Sequence, residues 1–103
     1  MTVYVTQETD HAFKDAERYG DVEFLTHLDL RNIEKSAHNE HMLADIAFKL
    51  KKYDESQDWI VVAGSPYVSA AVFLILGRKG VRQVRVLRWD NRDFKYIPLT
   101  INI

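Results

Sequence analysis

DWIVVAGSPYVSAAVFLILGRKG, residues Asp58 to Gly80, is the stretch whose reading decides the fold. Trp59-Ile60-Val61-Val62-Ala63 is a short unbroken apolar run, the pattern of a central parallel strand buried on both faces. Gly64-Ser65-Pro66 breaks it. Pro66 suits the first turn of a helix, where its missing N–H is no loss, and Ser65 stands before it as an N-cap. Tyr67 to Leu76 is apolar nearly all round, which predicts a largely buried helix. Gly77 and Gly80 supply the stop, and Val84 to Leu87 begins another strand. Strand, turn, helix and strand make a βαβ unit with a right-handed crossover.

Upstream, Thr2 to Thr6 reads as strand one from its β-branched and aromatic residues. Gln7 to Asp10 is a polar connection, with Thr9 or Asp10 as a cap. His11 to Tyr19 carries Ala12, Phe13, Ala16 and Tyr19, a short one-sided helix ending at Gly20. Val22 to Leu25 is strand two, and Asp29 caps a turn running through Ile33. A long helix is predicted from about Ser36 to Tyr53, with a stripe at Leu43, Ile46, Ala47 and Leu50 and with Met42 and Phe48 at its margins. Carried backwards, that stripe meets Glu40, Asn39 and Ser36. They are either solvated or at the carboxyl edge of the sheet, where ligands sit in doubly wound folds.

Downstream, Trp89 to Asp93 is a turn into a last strand, Phe94 to Ile101, which so short a connection makes antiparallel. Ile97, Leu99 and Ile101 share one face, Phe94 and Tyr96 the other. Pro98 denies the strand a ladder hydrogen bond and places it at an edge. The expectation is one α/β domain, residues 1–103. It is a small three-layer sandwich on a mostly parallel sheet of order 2-1-3-4-5, with an antiparallel C-terminal edge strand. Arg85, in mid-strand between Val84 and Val86, implies that one side of strand four has no helix over it.

With 103 residues, 47% hydrophobic and 28% charged, the composition is that of an ordinary soluble domain. The absence of cysteine excludes disulfides and thiolate chemistry. No basic, then apolar N-terminal segment marks a signal peptide, and the longest apolar run, Tyr67 to Gly77, is too short for a bilayer. A cytoplasmic protein away from membranes is expected. Charge is uneven: Met1 to Asp58 holds 7 Lys/Arg against 13 Asp/Glu, Trp59 to Ile103 holds 7 against 2. Such asymmetry bears on partners rather than fold.

Two groups of residues are candidates for function. At the carboxyl edge, Thr6, Gln7, His27, Gly64, Ser65 and Arg88 fall near one another, and the Gly64-Ser65 helix start can hold a nucleotide-like anion. Neither the P-loop nor G-x-G-x-x-G is present, and a Ser-Pro helix start is also ordinary punctuation. Ser65 as a nucleophile lacks the G-x-S-x-G elbow, so no catalytic residue is assigned. His38, His41 and Asp45 share a helix side without H-E-x-x-H, which reads as a solvated face. No metal or cofactor is assigned.

The second group is Arg85, Arg88, Trp89, Asp90, Arg92, Lys95 and Tyr96, on the last hairpin. Trp and Arg are common interface anchors, and edge strands offer unpaired backbone to a partner or a twofold copy. Arg78, Lys79 and Arg82 extend its basic residues into a stripe with interleaved aromatics, a weaker pointer to nucleic acid. DWIVVAGSPYVSAAVFLILG followed by VLRWDNRDFKY resembles small uncharacterised proteins encoded by tailed bacteriophages. The resemblance spans roughly the last half of the chain and implies expression in a bacterial cytoplasm during infection. It also implies binding of host or phage partners and brings no catalytic residues. The expected function is a non-enzymatic protein that engages a protein partner or its own copy, with small-molecule binding or hydrolysis at Ser65 as the alternative.

Overall fold

The apolar run Trp59-Ile60-Val61 forms the middle of a five-stranded sheet in the computed structural model, which describes residues 1–102. The strands are β1 (Thr2–Val5), β2 (Asp21–Phe24), β3 (Trp59–Val61), β4 (Gln83–Asp90) and β5 (Lys95–Asn102), in the order β2-β1-β3-β4-β5. β1 pairs in parallel with β2 and β3, and β3 with β4 through Ile60 and Val86. β5 runs antiparallel to β4, with Trp89 opposite Tyr96 and Leu87 opposite Pro98. The expected sheet order and the antiparallel edge strand are both present.

Alternation along the strands divides the interior in two. Tyr4, Ile60, Val84 and Val86 face two helices, α1 (Ala37–Lys49) and α2 (Pro66–Arg78), through Met42, Ile46, Leu50, Val68, Val72 and Leu76. Val3, Val5, Val61, Leu87 and Tyr96 face the other way, onto Phe13 and Ala16. The cover on that second face is only a 3-10 helix, Lys14–Tyr19, where a helix from His11 was expected. β5 completes the cover by curling towards it: Asp15 Oδ2 accepts from the Tyr96 N–H at 2.7 Å, and Arg18 donates to the Tyr96 carbonyl at 3.0 Å. Arg85 lies on this face, its guanidinium 3.8 Å over the Trp59 ring and bonded to the Ser56 carbonyl. Among the described residues no helix covers that side of β4 at Arg85, as its mid-strand arginine implied.

Three expectations about the helices are corrected. α2 is buried on one side only, and Tyr67 and Leu74 are 75% and 74% exposed. A helix on the outer layer of a sheet has one face to bury, however apolar the rest of its surface. The buried residues of the second helical segment are Met42, Ile46 and Leu50, so its inward face is turned towards Met42 and away from Leu43. That segment also changes character: α1 ends at Lys49 and a 3-10 turn, Leu50–Lys52, follows. The Lys79 ammonium clamps this end, donating to the carbonyls of Leu50, Lys51 and Tyr53 at 2.8, 2.9 and 3.1 Å. A cation there satisfies carbonyls that a helix terminus leaves open.

Tyr53 beside this clamp is buried, and its hydroxyl has no hydrogen-bond partner among the described residues. Burial pushes Tyr53 up to about 12; the Asp58 and Glu55 carboxylates add to the rise, and the Arg85 backbone N–H, outside bonding geometry, tempers it. Burial, with Asp15 nearby, likewise pushes Tyr96 up to about 12, and Tyr4 is raised too. Such a tyrosine keeps its proton in the fold after the unfolded chain has lost it. Stability is therefore complete below about pH 10 and falls as pH rises towards about 12. Tyr53→Phe is expected to flatten that alkaline limb and to leave neutral-pH stability unchanged or slightly higher, because it removes a hydroxyl without a partner. Urea titrations of both proteins at about pH 8 and about pH 11 check it.

Candidate functional site

The carboxyl edge of the sheet is closed by side chains where β1 meets β3. The Thr6 hydroxyl donates to the Ala63 carbonyl at 2.8 Å and accepts from the Ala63 N–H at 2.9 Å. It also lies 3.2 Å from the Ser69 hydroxyl in α2. Gln7 Oε1 accepts from the Ser65 N–H at 2.6 Å, while its Nε2 donates to the Leu28 carbonyl at 2.8 Å. Both residues are buried, and together they tie β1, the β3–α2 turn and the segment after β2. A doubly wound sheet usually receives its ligand in this crevice, and here two side chains fill it.

Of the six residues expected at this edge, the structure brings Thr6, Gln7, Gly64 and Ser65 together. His27 stands exposed after β2, and Arg88 is exposed on β4, the two on opposite sides of the clasp. The Ser65 hydroxyl accepts from the Tyr67 N–H at 3.2 Å, the geometry of a helix N-cap. Ser65→Ala is accordingly expected to lower stability by about 0.5–2 kcal/mol, read from the midpoint of a urea titration. Outside the clasp, Asp29, Arg31, Asn39, Ser65 and Tyr67 border an open cleft of about 570 Å³. Asn39 there bonds both the N–H and the carbonyl of Arg31, so much of its polar capacity is used within the chain.

The other candidate is the β4–β5 hairpin. Beside it lies a mostly apolar cleft of about 510 Å³ where β4 runs on past the end of β3, lined by Phe13, Val61, Ala63, Leu87, Trp89 and Leu99, with His11 at its margin. Trp89 packs edge-on against His11 and Tyr96, at ring-centre distances of 4.8 and 5.0 Å, and its indole N–H donates to Asn91 Oδ1. Tyr96, expected in the contact, is only 1% exposed and lies in the core beneath it. Trp89 and Tyr96 therefore set the hairpin's direction, while Arg88, Arg92 and Lys95 form its exposed polar surface.

Phe94 was expected to open the last strand beside Tyr96. It sits instead in the turn, 73% exposed, with a φ of 51°. Left-handed backbone is ordinary for glycine and strained for a bulky residue, and such strain gathers at functional positions. The available signal was its position, four residues after Asp90, where a hairpin of this length takes up a left-handed residue.

The edge of β5 is largely masked. The Tyr96 N–H and carbonyl point away from β4, to Asp15, Arg18 and Tyr19. Alternation then turns the Pro98 nitrogen outward as well, so its missing N–H takes no bond from the ladder, contrary to expectation. Beyond Pro98 the same alternation turns the Thr100 and Asn102 N–H groups outward. A proline and capping side chains are common ways to blunt an edge.

The expected basic stripe is divided. Lys79 and Arg85 are committed to carbonyls and to Trp59. Arg82 and Arg88 lie at opposite ends of β4, about 20 Å apart along the strand. His38 Nε2 lies 3.1 Å from the Asp29 carbonyl, and Asp45 pairs with Lys49 at 3.3 Å. Among the described residues, no group of three His, Cys, Asp or Glu side chains is placed to hold a metal ion. Nor is any helix among them long and apolar enough to cross a membrane.

Neither a curated protein nor a solved structure matches this chain. The family model described as Phage Pam3 gp32-like protein matches it over residues 1–103, a span that includes both segments carrying the phage resemblance.

Proposed function

The chain belongs to the Phage Pam3 gp32-like protein family, and for this member we propose a non-enzymatic role as a protein-binding module that works through the tip of its β4–β5 hairpin. The observation that carries the reading is Phe94, a bulky ring held in solvent by strained backbone where glycine would be easier. Arg88, Arg92 and Lys95 belong to the same hairpin and are exposed, but the hairpin also carries Asp90 and Asp93. Mixed charge around an exposed aromatic suits a protein surface, whereas a face that tracks nucleic-acid phosphates gains nothing from two carboxylates. The chain's setting in a phage family supports action inside an infected bacterium.

Phe94→Gly separates binding from folding, because glycine accepts the left-handed conformation without strain. The variant is expected to be about as stable as the wild type, because relief of the left-handed penalty of about 1–2 kcal/mol offsets the entropic cost of glycine of about 0.5–1 kcal/mol, and to lose its protein partner. Immobilised wild-type and variant proteins offered the same bacterial lysate, and free copies of the chain, provide the comparison. Equal retention by both proteins would sink the reading. So would capture of single-stranded oligonucleotide with steep salt dependence that is lost in the variant.

A further inference from the structure

Resting on that hairpin reading, we infer that the partner is a second copy of this chain, each copy seating its Phe94 ring in the apolar cleft beside Trp89 of the other. A twofold contact requires projection and recess on one continuous surface, so that each copy gives and receives. Both are present: Arg88 and Trp89 border the cleft, and Phe94 projects from the turn that immediately follows their strand. The cleft holds about 510 Å³ and is lined mainly by Phe13, Val61, Leu87, Trp89 and Leu99, a setting that accepts a phenyl ring and excludes a charged one.

Charge complementarity selects a like copy. Asp10 is exposed between Thr9 and His11, both of which border the cleft, and Glu8 is exposed just before them. Phe94 sits between Asp93 and Lys95, with Arg92 one residue further back, so Arg92 and Lys95 are its nearest cations in sequence. A ring entering the cleft of a second copy brings those cations towards Asp10 and Glu8, and the twofold repeats the pairing on the other side. Edge-to-edge strand pairing is not needed, which agrees with the capped Tyr96 backbone and with Pro98 on the outer edge of β5.

Sedimentation equilibrium on the full chain tests this. The wild type is expected to show a monomer–dimer equilibrium in the micromolar range, and Phe94→Gly to weaken it by about 30-fold or more, the loss of a central aromatic anchor. Asp10→Lys and Arg92→Glu are each expected to weaken dimerisation, and the double variant to recover most of it. Near-unchanged urea midpoints in the charge variants exclude unfolding as the cause. A wild type that stays monomeric overturns the second-copy inference. If Phe94→Gly then loses a lysate protein, the binding reading above stands without it; if nothing is lost, both fall. A dimer indifferent to Phe94→Gly, or charge changes without recovery in the double variant, also overturns this arrangement.

Discussion

Gly64→Val is expected to destabilise the fold by about 3–5 kcal/mol, combining left-handed strain with the loss of a buried clasp. Gly64 has a φ of 78°, a conformation that a β-branched residue enters only at a penalty. A Cβ at this position also runs into the Gln7 carboxamide, which cannot retreat without releasing the Ser65 N–H and the Leu28 carbonyl. Strain and lost hydrogen bonds thus act together at one residue. Urea denaturation should show a much lower midpoint with an unchanged slope, since native and unfolded surface areas stay similar. Gly64→Ala removes the β-branching and keeps the Cβ, so it should fall between the two proteins. A valine variant within 1 kcal/mol of wild type, about the scale of a neutral surface change, would show that Gly64 and Gln7 do not hold this edge together.

The second large effect is expected at Asp58, the first residue of the deciding stretch. Its carboxylate is buried and accepts two backbone N–H groups, from Thr2 at 2.8 Å and from Asp54 at 2.9 Å. One bond secures the start of β1 and the other closes the loop that leads into β3, so a single side chain joins positions 56 residues apart. Asp58→Ala takes the charged acceptor from two part-buried N–H groups, and hydrogen bonds to a charged group are worth about 1.5–3 kcal/mol each, or about 4 kcal/mol together. Asp58→Asn keeps one acceptor oxygen and should lose roughly half as much. Thermal unfolding and amide exchange at Thr2 and Asp54 check the two claims separately. Equal stability of the alanine and asparagine variants would show that the bond asparagine keeps contributes nothing, and an asparagine variant as stable as the wild type would show the same of the bond it loses.

How far the sequence could be read depends on the range of the interactions involved. Trp59-Ile60-Val61, Ser65-Pro66 and the brief connection after Trp89 acted locally: apolar periodicity, an N-cap and a loop too short for a crossover. Those features determined the parallel core, the helix start and the antiparallel last strand without reference to distant residues. The expected sheet order is also present, although the α1 connection passes over β1 to join β2 to β3, a skip that no local signal dictates.

Burial and site geometry lay beyond that local range. The exposure of Tyr67 and Leu74 follows from the absence of a further layer over α2, which no pattern within Tyr67 to Leu76 contains. The closure of the carboxyl edge depends on Gln7 meeting Ser65 across 58 positions of sequence, and the end of α1 on Lys79 reaching Leu50 across 29. Phe94 looked like one more strand residue until the register of Trp89 against Tyr96 fixed where the turn had to fall. By itself, then, the sequence determined which segments form strands and helices and that the last strand returns antiparallel, since hydrophobic period and loop length are properties of neighbours. Only the tertiary structure decided which apolar side chains remain in water and which polar groups are already satisfied, because both depend on what the rest of the chain brings against them.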